Sequence, residues 1–428
     1  MERYMPYQTT QILKPSILPI FFSLVLTTFG TVTFAGQDEE KIMQGFPPET
    51  LVDANNWRSP PFNRWSFQHM EMISPTATIS RGDQAFQELK QASRKDQQAY
   101  QNLKMANNLS VEDYISKNFV DGVLVLEKGK IVAEHYANNQ DKDTRHIMFS
   151  VGKSFTGIMA ETLVHNGILD DTALVSSYVP ELANSGYGDA TVRQVMDMLV
   201  DVKFNEDYED PYSDINQFIY AAGLGTPPKN VEAYASLYEF LPSIEKEGRH
   251  GLEWEYVSAT TETLGWIMNR VTSKSWVQLF QETIYQHLQP RRDASIIVDA
   301  KGKEVAAGGM SMTLRDVGRF AYLVSNNGKF GGKQIIPEQV IKTIKAGGDP
   351  EKFPTRMPGF KTSYKSQWYK DITNGILGGY GIHGQAIQIG LDNDIIIITQ
   401  SSWQTSGTDE QWGRRTAFQQ AVFDALSQ

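Results

Sequence analysis

The stretch that most constrains this chain is the apolar run from Phe149 to Leu163, which carries a lysine, Lys153, near its start and follows the polar run Asn138–Arg145. It reads as a buried helix. Lysine is rarely tolerated in such a setting without a partner or a function. Ser150 and Lys153 are three apart, so on a helix they share one face. The Ser150 hydroxyl then sits in the first turn, where free N–H groups and the positive helix end favour developing negative charge. A desolvated lysine loses part of its proton affinity and can act as a base. The pair is a nucleophile with its base one turn along. Ser-x-x-Lys is nevertheless short enough to arise by chance, and Ser243-Ile244-Glu245-Lys246 repeats it. That copy lies in a charged stretch running on to Arg249 and reads as solvated surface. A phosphate loop around Gly152-Lys153-Ser154 would need glycine at 147, where the chain has Ile147.

The chain opens on a segment that is not part of the fold. Arg3 and Lys14 precede the apolar run Ile17–Val32, and Thr33 and Ala35 follow, the layout of a secretory signal peptide cleaved after Ala35. The run is also long enough to serve as an uncleaved anchor. These features predict a periplasmic or secreted protein. With Cys 0 no disulfide can form there, and a lipid-modified N-terminal cysteine is excluded. Hydrophobic content of 40% supports a sizeable core. A net charge of -10 without a basic block leaves no nucleic-acid footprint, and no second apolar run reaches membrane-spanning length.

Proline and Asn-Asn punctuate residues 45–82 too often for a long helix, so this part is expected to wrap the domain and lay its aromatics on it. Helical spacing is expected over 84–117, through Phe86, Leu89 and Ala92. Phe119–Tyr136, broken at Glu127-Lys128-Gly129-Lys130, reads as a hairpin leading into the Ser150 helix. Residues 164–300 read as mainly helical, with a helix Thr191–Val200, an acidic loop Phe204–Pro211, and Trp254–Ser258 ahead of a helix Thr260–Val271. Ala306–Thr313 reads as a small-residue turn before a helix Leu314–Ser325. Ala386–Ile389 and Ile395–Thr399 form a second hairpin, and a last helix spans Thr416–Leu426. The class is α+β: an antiparallel sheet flanked by helices, with an inserted mainly helical subdomain. The expected organisation is a leader over 1–35, a wrapping segment and helix over 36–118, and a main domain over 119–428 with its insertion at about 164–300.

Ser150-x-x-Lys153, Tyr256-x-Ser258 and the Gly-rich Ile382-His383-Gly384 together resemble the serine β-lactamase and penicillin-binding-protein superfamily. Within it the chain resembles the branch of class C β-lactamases, esterases and 6-aminohexanoate-dimer hydrolases, and the last group most. Gly45-Phe46-Pro47-Pro48, Pro60-Pro61-x-Asn63-Arg64-Trp65, Glu206-Asp207-Tyr208-x-Asp210-Pro211, Gly308-Gly309-Met310-Ser311 and Gly381-Ile382-His383-Gly384-Gln385 look like that group's signatures, from about residue 45 to the end. The resemblance implies a β-lactamase/transpeptidase-like fold and a three-part site. Ser150 would attack an acyl carbonyl. Lys153 and Tyr256 would share the proton traffic, with Lys153 lowering the phenol's pKa so that tyrosinate can serve as base. The N–H groups of Ser150 and Gln385, the second on an edge strand, would form the oxyanion hole. Tyr208, Ser258, Ile382 and His383 would bind substrate, with Tyr208 closing over it. Tyr-x-Ser also occurs at Tyr114 and Tyr234, and the position of Tyr256 before a helix distinguishes it.

Two departures bear on the substrate. Ile382-His383-Gly384 stands where β-lactamases have Lys-Thr-Gly, so the cation that grips a β-lactam carboxylate is missing; Tyr256-x-Ser258 stands for Tyr-x-Asn. Both weaken a lactamase reading and suit esterases. No histidine has metal-ligand spacing to a neighbour, and neither metal nor cofactor is expected. The expectation is a secreted serine hydrolase working through an acyl-enzyme on small carboxylic esters and linear amides. The alternatives are a DD-peptidase or β-lactam-interacting protein, which the absent Lys-Thr-Gly opposes, and a silent binding protein of the same fold, which the intact triad opposes.

Overall fold

Val120–Glu127 (β1) and Lys130–Tyr136 (β2) pair as the expected hairpin, and Lys128 and Gly129 take φ of 48° and 74° to make its two-residue turn. The computed structural model describes residues 51–353 and 361–427; the expected leader and Gly45-Phe46-Pro47-Pro48 lie outside them. The hairpin joins Thr362–Lys365 (β3), Trp368–Asp371 (β4), Ile376–Gly381 (β5), Gln385–Gly390 (β6) and Ile395–Ser401 (β7) in a seven-stranded antiparallel sheet. Its spatial order is β2-β1-β7-β6-β5-β4-β3. The first hairpin thus joins the sheet by pairing with its last strand, Val125 opposite Ile397.

Both faces of this sheet are covered, which is why its central strands carry unbroken apolar runs at Val123–Leu126 and Ile395–Ile398. Leu124, Leu126, Ile387, Ile396 and Ile398 pack on one side with the helices Val151–His165 and Leu314–Ser325. Val123, Val125, Ile395 and Ile397 face the other way, onto Phe418, Val422 and Phe423 of the C-terminal helix Asp409–Leu426. A second, four-stranded antiparallel sheet runs in the order Thr76–Ile79, Ala294–Ile297, Met310–Thr313, Arg145–Ile147. Its last strand leads straight into the Ser150 turn. Short helices fill 164–300, the longest being Ser258–Thr272.

The wrapping segment goes further in than expected. Trp57 and Phe67 are buried, and Asn63 donates to the Trp403 carbonyl across 2.8 Å. Over 84–117 the expected spacing misleads: helices start only at Ser93 and Ser110, each closing a capping box with an aspartate three residues on. Phe86 and Leu89 lie in a non-helical stretch whose end bonds β2, Ile131 N–H to Lys90 and Ala92 N–H to Ile131. The expected helix Thr191–Val200 is only Val192–Met196, since Met198 takes a left-handed φ of 52°. The last helix instead starts early, because Thr408 caps it. Met310–Thr313 is a strand, and the tight turn precedes it.

Candidate active site

Ser150 is the N-cap residue of the helix Val151–His165, and Phe149 before it sits at a left-handed φ of 44°. A bulky residue held there costs about 1–3 kcal/mol, so the surroundings must fix it. They do: Phe149 stacks on Trp57 with ring centroids 6.0 Å apart and packs on Phe67 at 5.0 Å and His383 at 5.5 Å. Two glycines let backbone approach the same turn. A Cβ on Gly308 would lie 3.3 Å from the Phe149 carbonyl carbon, and one on Gly381 would lie 2.7 Å from the Met148 oxygen.

Lys153 is buried, and its Nζ lies 2.9 Å from Ser150 Oγ, 3.1 Å from Ser258 Oγ and 3.0 Å from the Ala307 carbonyl. Burial pulls its pKa down to about 8, against the opposing pull of Glu206 and Glu262. Once neutral, the amine can donate to Ala307 and Ser258 and turn its lone pair to the Ser150 hydroxyl. Glu262 anchors this arrangement by accepting the Ala307 N–H at 2.7 Å; burial pushes its own pKa up to about 8.

Tyr256 is half-buried at the end of the segment before the helix Ser258–Thr272. Its hydroxyl interacts with those of Ser150 and Ser258. Burial and then Glu206 raise its pKa, so the phenol stays protonated near neutral pH. Of the two groups expected to share the proton traffic, these shifts favour Lys153 as the one able to accept a proton and leave the Tyr256 phenol as a donor. Glu206, buried in the acidic loop, accepts the Ser258 N–H at the start of that helix and the Tyr208 hydroxyl at 2.9 Å. Burial raises its pKa, and Lys153 opposes the shift. Tyr208 is half-buried, and its loop hangs on Asn216, whose Nδ2 donates to the carbonyls of Asp207, Tyr208 and Asp210.

Two expected site residues move. Gln385 lies on β6, between β5 and β7 rather than at an edge, and is 0% exposed; its amide oxygen and nitrogen are spent on Ser401. Its N–H cannot meet a substrate. The strand against the Ser150 turn is β5, through Gly381, and Ile382 is the residue of that turn with exposed surface. Ile382, half-buried and next to Gly381, is thus the residue of this turn that a substrate beside Ser150 could reach. His383 is buried, with Nδ1–H donating to the Trp403 carbonyl at 2.8 Å, and burial lowers its pKa to about 4. It is a neutral wall residue. Ser243 is exposed and bonds only the Phe240 carbonyl.

Sequence reasoning marks Glu206 only as part of a signature and does not single out Glu262. Yet Glu262 carries the signal that exposed Lys153, the one charged group within the otherwise uncharged run Ser258–Met268. A cavity of about 280 Å³ beyond Trp254, lined by Asp197, Lys352 and Tyr364, contains none of Ser150, Lys153 or Tyr256. No cluster of potential metal ligands occurs among the described residues.

The sequence model of the family described as Beta-lactamase matches residues 117–421. A 6-aminohexanoate-dimer hydrolase of Paenarthrobacter ureafaciens is 33% identical over 379 residues, 87% of this chain and 93% of that protein. A solved structure from Bacillus anthracis, provisionally assigned as a 6-aminohexanoate-dimer hydrolase, superposes with a TM-score of 0.80 at 26% identity, covering 88% of this chain and 98% of its own. A D-stereospecific amidohydrolase from Streptomyces sp. gives a TM-score of 0.55 at 15% identity, over 78% of this chain and 97% of its own, a likeness of fold alone.

Proposed function

Because the chain belongs to the β-lactamase family and is a serine hydrolase of it, we propose that it cleaves small carboxylic esters and linear amides through an acyl-enzyme on Ser150. The observation that carries this is the buried Lys153 amine, 2.9 Å from Ser150 Oγ with its pKa drawn down to about 8. Neutral Lys153 takes the Ser150 proton as Oγ attacks the carbonyl carbon. The negative oxygen that forms is held by the N–H groups of Ser150 and Ile382. Lys153 passes its proton through the Ser258 hydroxyl to Tyr256, which protonates the leaving alkoxide or amine as the carbon–heteroatom bond breaks. Water then repeats the sequence on the acyl-enzyme, releasing the acid and restoring Ser150.

A fluorophosphonate probe tests the nucleophile: Ser150→Ala should abolish labelling and Ser243→Ala should leave it intact. Retained labelling of Ser150→Ala would sink the reading. p-Nitrophenyl acyl esters, a linear aminohexanoate dimer and a chromogenic cephalosporin then sort ester, amide and β-lactam turnover. The proposal includes export, supported by the Ile17–Val32 run alone. The exported chain should begin near Gly36; Met1 on soluble cytoplasmic protein would overturn it.

A further inference from the structure

Beside Tyr208 and Ile382 opens a cavity of about 150 Å³ whose walls include Arg58, Pro60, His383 and Thr405. Arg58 comes from the wrapping segment and is half-buried. Its Nη2 donates to Asn216 Oδ1 at 3.2 Å and weakly to the Tyr208 carbonyl at 3.4 Å, and its guanidinium lies 5.6 Å from the Tyr208 ring centre. Among the described residues no carboxylate pairs with it, and Nε and Nη1 are neither bonded nor shut away from solvent. Burial lowers its pKa. An arginine partly withdrawn from water with no carboxylate in direct contact, only the more distant charge of Glu209, is costly to keep, and its planar fork matches a carboxylate in two parallel hydrogen bonds. Glu209 also lines the cavity and is exposed. Its charge disfavours a dianion such as phosphate and leaves a monoanion as the fitting occupant.

We propose that Arg58 and this cavity form a carboxylate subsite, so that the preferred substrates carry a terminal carboxylate. The positive charge missing from Ile382-His383-Gly384 is then supplied by a distant part of the chain. This rests on the hydrolase reading above and names its substrate class.

The test compares carboxylates with their neutral carboxamides in two series. Mono-p-nitrophenyl adipate against p-nitrophenyl 5-carbamoylpentanoate places the charge in the acyl half. The second pair, 6-acetoxyhexanoate and 6-acetoxyhexanamide, places it in the leaving half. In one series the protein should favour the acid in kcat/KM by about ten-fold or more. Arg58→Gln should reduce that preference to within about threefold, and Arg58→Lys should keep part of it. A general disturbance of the Tyr208 loop would lower both members together and leave their ratio unchanged. Absence of preference in both series, or a preference that survives Arg58→Gln, would overturn the subsite. Should no ester be turned over, calorimetry on Ser150→Ala with adipate and adipamide still decides. Adipate binding that is lost in Ser150→Ala/Arg58→Gln supports the subsite even as the hydrolase reading fails. No adipate binding overturns it.

Discussion

The Ser150 turn and the Tyr208 rim face each other across the same site and are held by different means. The turn is fixed by packing: Phe149 is clamped between Trp57, Phe67 and His383, and Gly308 and Gly381 bring backbone hard against it. The rim is fixed by hydrogen bonds to loop carbonyls, with Asn216 and Arg58 on one side and Glu206 on the other. Close-packed cores hold one arrangement, whereas hydrogen-bonded loops exchange partners at small net cost. The reacting groups therefore sit on the rigid side, and the groups that choose substrate sit on the adaptable one.

The largest effect should come from the packed side. Lys153→Met removes the base while keeping an unbranched apolar stem, and kcat/KM for every ester should fall by about 100- to 10,000-fold with little change in folded structure by circular dichroism. A loss of only a few-fold would mean that another group takes the Ser150 proton.

On the rim, Tyr208→Phe sharpens the contrast. Amide hydrolysis should drop by about ten-fold or more, as for one lost transition-state hydrogen bond, because an amine must be protonated to leave. Short-chain esters should stay within about threefold of the parent, a difference below about 1 kcal/mol. If ester rates collapse as well, Tyr208 belongs to the rigid machinery and the division fails.

The smallest effect is a shift along the pH axis. Lys153 must be neutral to accept a proton, and its pKa is lowered to about 8, so kcat/KM should rise as pH climbs through about 8. Glu262, which ionises in the same pH range, raises the Lys153 pKa in so far as it is charged. Glu262→Gln should therefore move that rising limb to lower pH while keeping an acceptor for the Ala307 N–H. Movement to higher pH would show that Glu262 acts on the site through something other than its charge.

The same contrast governs what could be read from the chain. Ser150 and Lys153 were legible because a charge inside an apolar run needs a cause, and both sheet hairpins were legible because turn chemistry is local. The edge placement of Gln385 failed for a physical reason. Gly381–Gln385 announces a turn, but only the packing of β5 against Met148 and Phe149 tells which side of it the substrate meets. The protonation of Tyr256 is likewise set by burial and by Glu206, 50 positions earlier in the chain, and spacing carries no trace of either. Arg58 lay in a segment read as a wrapper, and nothing local marks an arginine that no carboxylate among the described residues contacts directly.

The bond from Asn63 to the Trp403 carbonyl spans 340 positions, and β1 finds its partner in β7 near the end of the chain. Contacts this distant in sequence demand that most of the polypeptide exist before they form, and they slow the search that makes them. Phe149 cannot be clamped until Trp57 and Phe67 are seated, and His383, its third neighbour, is synthesised long after the nucleophile. A ribosome that has delivered Ser150, Lys153 and Tyr256 has not yet delivered an enzyme.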